Sequence, residues 1–315
     1  MPGMTDRPRI TVIGAPTNLG LRPPQETSVP GSAKAPEALR EAGLHERLFA
    51  SGAIDGGTVI APRYVDDRRE GRLRNQDAIV DYSRRLSTRV DAALARSEAP
   101  LLIGGDCSIL VAAGHALAGR GRYGLVHIDG HTDFRHPGNS SECASLAGED
   151  LAAAIGLHWP EVADIDGRGP YFQPAATVHL GCRDDDEALA EVVERIGLVG
   201  RASEIRESGP EAIVARTLDV VTADHVDGFW LHLDVDVLDP EYMPAVDSPD
   251  PGGLTPAELQ ALLAGIAPYA VGAEVTVFDP DLDPDGRYAA LLAPLLAGGL
   301  GALSSRQDAP GRSRR

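Results

Sequence analysis

The stretch YGLVHIDGHTD, residues 123–133, decides how this chain folds. It opens as an apolar run and closes on a burst of ionisable groups, Asp129, His131 and Asp133. An apolar run without regular polar alternation suits a strand covered on both faces. Outward in both directions the same build recurs, at 100–108 (PLLIGGDCS) and at 228–240 (GFWLHLDVDVLDP). Together with shorter β-rich runs it gives predicted strands over 10–15, 58–61, 100–104, 123–129, 176–181, 228–235 and 271–277. Ala/Leu-rich helical patterns fall between them, over 35–48, 77–96, 108–118, 146–155, 184–196, 211–218, 255–264 and 287–296. Such alternation implies an α/β fold, a parallel sheet with helices packed on each side. Thr255-Pro256-Ala257-Glu258 has the capping-box pattern, and Ser108 and Asp77 stand where helix N-caps would fall.

Composition narrows the classes. The 315 residues carry 29 Lys+Arg against 47 Asp+Glu, a formal net charge of −18, and 43% are hydrophobic. That length and apolar share suit a buried core and argue against global disorder. Phosphate contacts rest on Lys and Arg, so nucleic acid is not an expected partner. No apolar stretch nears the roughly 18–20 residues of a membrane span, and the N-terminus lacks the build of a leader. Three cysteines (Cys107, Cys143, Cys182) make no disulfide framework, which fits a reducing cytoplasmic location. One domain is expected over 1–303, with a frayed tail over 304–315.

The chemistry gathers at strand ends, where an open parallel sheet forms its crevice. The two glycines of GGDCS let the backbone turn sharply and approach a ligand, with Asp106 orienting the site; a plain strand-to-helix turn is the alternative. On extended backbone Asp129, His131 and Asp133 would share one face, as would Asp234 and Asp236. Convergent carboxylates repel unless something neutralises them. Asp129, Asp133, Asp234 and Asp236 would balance two divalent ions in charge. Oxygen donors with one imidazole favour manganese or magnesium, and a two-metal site can turn water into a nucleophile at neutral pH.

GGDCS, DGHTD and DVDVLDP, in this order, resemble the arginase/agmatinase (ureohydrolase) family. VIGAPTNLG near the N-terminus and PAVDSPDPGGLT after DVDVLDP are similar to further family segments, so the likeness spans nearly the whole chain. It implies a three-layer α/β/α fold with an eight-stranded parallel sheet, two Mn(2+) ions, and hydroxide attack on a guanidinium carbon with release of urea. It also implies trimers or hexamers and a small guanidino substrate. Carried over residue by residue, Asp129 and Asp234 match the ligands shared by both metals. Asp133 and Cys107 match the first metal, Cys107 standing where most members have His. His131 and Asp236 match the second.

Two departures stand out. The family's Leu-His-Gly step is Leu146-Ala147-Gly148 here, and its guanidinium-gripping Glu falls on Val277. His136 is a candidate proton shuttle, or else an exposed loop histidine. Asp279, two residues from Val277, is a candidate stand-in for the Glu. Asp186, Ser248 and Ser145 are candidate substrate contacts. His127 and His232, two residues before metal-site aspartates, read as hydrogen-bond donors behind the ligands or as core residues. The departures leave open an N-hydroxyguanidine, a non-guanidine amidine or amide, or a silent metal-binding member.

Overall fold

The computed structural model describes residues 8–305. Eight strands, β1 (Ile10–Ala15), β2 (Ile54–Thr58), β3 (Ala99–Gly104), β4 (Tyr123–Ile128), β5 (Thr177–Leu180), β6 (Leu198–Gly200), β7 (Gly228–Asp234) and β8 (Gly272–Thr276), form one sheet in the order β2-β1-β3-β8-β7-β4-β5-β6. Every pairing is parallel. The apolar runs feed two cores by alternation. On β3, Leu101 and Ile103 join one core while Leu102 joins the other. Helices Ala35–Glu41, Leu44–Ala50, Pro210–Val221, Pro256–Ile266 and Arg287–Leu300 close the first core. Gln76–Ala95, Ile109–Ala118 and Asp150–Ala154 close the second, completing the three layers. Each fully buried Leu or Ile contributes about 1.5–3 kcal/mol by leaving water, so covering both faces is what stabilises the sheet.

The differences from the sequence reading have local causes. The edge strand expected at 58–61 is Ile54–Thr58, built on a glycine pair that reads as a turn. A Cβ on Gly56 would lie 2.7 Å from the side chains of Ile13 and Thr11, so only glycine lets β2 lie against β1. β6 is three residues long, too short to register as a run. The helix expected over 35–48 breaks at Gly43, whose φ is +86°. The stretch 146–155 divides into a 3-10 turn, Leu146–Gly148, and a short helix, Asp150–Ala154. Over 184–196 only Leu189–Arg195 is helical, and Ala202–Ser208 is a further helix the pattern did not reveal. Asn75, not Asp77, is the N-cap of its helix, whereas the Thr255/Glu258 capping box is fully formed. Readings of residues 1–7 and 306–315 lie outside the described residues. No helix among the described residues is long and apolar enough to cross a membrane.

The central strands β3, β8, β7 and β4 are adjacent, and their carboxyl ends deliver GGDCS, Val277, DVD and DGHTD to one place.

Candidate active site

Short hydrogen bonds fix the turns that leave β4 and β7. Asp234, the last residue of β7, caps the following turn by accepting the Asp236 N–H at 2.8 Å. Asp236 Oδ1 accepts the Gly130 N–H at 3.0 Å, stitching that turn to the end of β4. Gly130 has no room for a side chain: a Cβ there would lie 2.3 Å from Arg183 Nη1 and 2.8 Å from the Asp236 carbonyl. Asp129 Oδ1 accepts the His131 N–H at 2.7 Å. β4 ends at Ile128 and Asp133 has a φ of +47°, so Asp129, His131 and Asp133 converge through a turn and not along an extended face.

The electrostatics are those of a centre built around positive charge. Burial first, then the neighbouring carboxylates, pushes Asp129, Asp133 and Asp234 well above the usual carboxylate range. Burial also acts on Asp236, but His131 outweighs it and holds that group below its ordinary value. His131 loses to burial less than it gains from Asp236 and Asp250, and is pushed up to about 10; its Nδ1 lies 2.9 Å from Asp236 and its Nε2 3.0 Å from Asp250. The acids around His131 thus favour positive charge at the place where cations would serve. Burial and the charge of Asp234 raise the Cys107 thiol well above its ordinary range, and its Sγ donates to Asp234 Oδ2 at 2.9 Å. Asp129 Oδ2 is buried without a hydrogen-bond partner, and donor atoms of Cys107, Asp129 and Asp234 all lie within 4.8 Å of one another. An unshared buried carboxylate oxygen amid other acids is what a divalent ion would satisfy, so the carboxylates fit the metals expected here.

Above these groups opens a cleft of about 660 Å³. His131, Asp133, Asp234 and Asp236 line its floor, with Cys107 and Asp129 fully buried beneath. Asp186, Ser145 and Ser248 line it as well. Asp186 is tied to the Thr132 N–H and hydroxyl at 2.9 and 2.6 Å, and Ser145 accepts from Arg74 at 2.7 Å. Ala147 and Val277, where the resemblance expects His and Glu, also face the cleft, so those two positions offer it only apolar surface.

Two expected site residues are elsewhere. His136 is buried away from the cleft: its Nδ1 accepts the Gly138 N–H at 3.0 Å and its Nε2 lies 3.2 Å from Glu191. It is neither a shuttle at the floor nor an exposed loop histidine. Asp279 accepts the Gly31 N–H at 3.0 Å and the Asp281 N–H at 2.9 Å, and does not line the cleft. β8 ends at Thr276 and Val277 adopts a φ of +73°, so strand alternation no longer relates 277 to 279. The glycines of GGDCS follow the alternative reading, a strand-to-helix turn. Gly105 approaches the chain itself, since a Cβ would lie 2.4 Å from the Thr17 carbonyl oxygen. Asp106 accepts the Ser108 N–H at 2.9 Å inside that turn.

The sequence reading set His127 and His232 behind the ligands but missed the row they belong to, one layer below. Parallel register aligns His179 of β5, His127 of β4, His232 of β7 and Glu274 of β8 in a row across the sheet, all fully buried. His127 and His232 lie two residues before Asp129 and Asp234 and stack at 4.5 Å. Asp150 faces them from the covering helix. Burial holds both imidazoles below their ordinary value and pushes Asp150 up to about 7. The histidine at i−2 in both VHID and LHLD was the available signal; Asp150, inside GEDLAAA, reads as an ordinary acidic first turn.

Comparison with known proteins agrees with this architecture. The family model described as "Arginase family" matches residues 8–300. The arginase of Bacillus caldovelox is 28% identical over 298 residues, covering 91% of this chain and 96% of its own. The crystal structure of arginase from Bacillus cereus superposes with a TM-score of 0.81 at 28% identity, covering 94% of this chain and 99% of that one. The formimidoylglutamase of Bacillus subtilis shares the fold, with a TM-score of 0.73 at 23% identity over 95% of this chain and 88% of its own. The chain belongs to the arginase family, hydrolases that act on C–N bonds other than peptide bonds.

Proposed function

We infer that the protein hydrolyses a C–N bond of a guanidino or N-hydroxyguanidino compound, arginine- or agmatine-like, at a two-metal centre. One observation carries this: His131, Asp133, Asp234 and Asp236 converge at the floor of the cleft with Asp129 buried just beneath them, on adjacent strand ends. Asp129 and Asp234 would hold both ions, Asp133 and Cys107 the first, and His131 and Asp236 the second. When bound, such a pair supplies a water activated for attack at neutral pH. The chain's own residues do the rest. Gly130 and Asp236 lock the two ligand turns together, and Asp186 fastens Thr132 between His131 and Asp133. Asp247 at the cleft wall offers negative charge to a cationic head group, while Arg22 offers positive charge to an anionic tail. Manganese as the resident ion, a trimeric or hexameric assembly and a cytoplasmic location belong to the same reading.

The test combines metal content per chain with urea release from arginine, agmatine, N-hydroxy-arginine and guanidinobutyrate after reconstitution with Mn(2+). Two ions per chain and urea from at least one compound are expected. A chain that binds no ion under these conditions is not this kind of hydrolase. The apolar surface at Val277 and Ala147 favours a second reading, a non-guanidine amidine or amide; two ions with no urea but ammonia from an amidine would select it.

A further inference from the structure

The row beneath the cleft floor is an expensive arrangement for a sheet buried on both faces, because unsatisfied polar groups there have no water to turn to. His232 Nδ1 lies 2.7 Å from Glu274 Oε1; with the ring proton on Nδ1 it donates to that carboxylate, and Nε2 is left as a bare lone pair. Nε2 faces Asp150 Oδ2 at 3.9 Å. His127 Nδ1 lies 3.0 Å from His179 Nδ1, and its Nε2 stands 3.4 Å from Asp150 Oδ1 and 3.7 Å from Asp129 Oδ2. Every one of these inward atoms, His127 Nε2, His232 Nε2, both Asp150 oxygens and Asp129 Oδ2, is buried with no hydrogen-bond partner.

None of the contacts among these inward atoms is a hydrogen bond, yet the atoms lie close for independent groups. Two donors each roughly 2.1 Å from one ion stand roughly 3–4 Å apart, which is the spacing found. A single water brings two protons and cannot satisfy a pocket of acceptors, whereas a cation satisfies all of them. The remaining ring nitrogens are already placed as ligating histidines require, with His232 backed by a carboxylate and His127 by a second imidazole.

We propose that the first metal of this chain sits one layer deeper than Cys107 and Asp133 would hold it, on His127 Nε2, His232 Nε2, Asp150 and Asp129 Oδ2. The imidazole missing at position 107 is thereby recovered from the strands below. Asp129 still reaches both ions, through Oδ2 to the deep one and through the turn it shares with His131 to the upper one. Two imidazoles with carboxylates suit zinc or ferrous iron better than manganese. The proposal rests on the two-metal reading only for the upper ion.

Metal content after reconstitution with Zn(2+) and gel filtration separates the alternatives. The unmodified chain should hold two ions, and His232→Gln and Asp150→Asn should each lose one. If Asp133→Asn or Cys107→Ala loses an ion and His232→Gln keeps both, the deep site is wrong and the two-metal reading stands. An unmodified chain that binds none overturns both. X-ray absorption at the zinc edge of the unmodified protein needs no folded variant. Three imidazoles shared by two ions support the deep site, and one imidazole shared by two overturns it.

Discussion

Asp279 shows how a carboxylate near a cleft can be occupied entirely with its own backbone. It accepts the N–H groups of buried Gly31 and of Asp281, tying the segment after β1 to the turn after β8. Removing the acceptor leaves a buried donor unsatisfied, at a cost of about 1–3 kcal/mol. Asp279→Ala should therefore lower stability to denaturant by about 2 kcal/mol and leave metal content per chain unchanged; loss of an ion would return Asp279 to the site. The residues legible in the sequence were those whose spacing advertises them, DGHTD and DVD. Asp150 was not legible, because its partners lie on two strands far from it in sequence and meet it only through register. His136 misled for the opposite reason: proximity to Asp133 in sequence is not proximity in a chain that turns at Asp133 with positive φ.

Among the elements, the turn leaving β3 carries more than its length suggests. Gly105 passes within contact of Thr17, its carbonyl accepts the Val277 N–H at 2.7 Å, and Cys107 follows it under the cleft. A methyl group on Gly105 would meet two backbone atoms of Thr17, at 2.4 and 2.6 Å, which side-chain rotation cannot relieve. Overpacking of this kind costs about 1–3 kcal/mol, so Gly105→Ala should lower the melting temperature measurably and weaken ion binding together; an unchanged melting temperature would mean the turn can yield. The buried strands were readable because their apolar runs serve two cores at once, as Leu101, Leu102 and Ile103 do. The edges were not. β2 is built on Gly56 and Gly57, and β6 on three residues, so neither has the apolar run that marks a strand covered on both faces.

For the whole molecule, the formal charge of −18 conceals where repulsion is concentrated. Asp129, Asp150, Asp234, Asp236 and Glu274 are all buried on or just beneath the carboxyl ends of β4, β7 and β8, on strands that also form the centre of both cores. Divalent ions bound there would join the central strand ends, so binding and global stability should move together. An ion present at a hundred times its dissociation constant stabilises the native state by about 2.7 kcal/mol. Chelation should accordingly lower the melting temperature by several degrees, and the temperature should climb again with the logarithm of added Mn(2+) or Zn(2+). Screening of surface acids by any divalent salt would produce a shift too, which Asp129→Asn distinguishes. That variant should lose most of the dependence while keeping nearly all of the surface charge. A melting temperature that ignores chelator in the unmodified chain, or climbs equally in Asp129→Asn, would place the effect at the surface and remove the metal centre from the folding energetics.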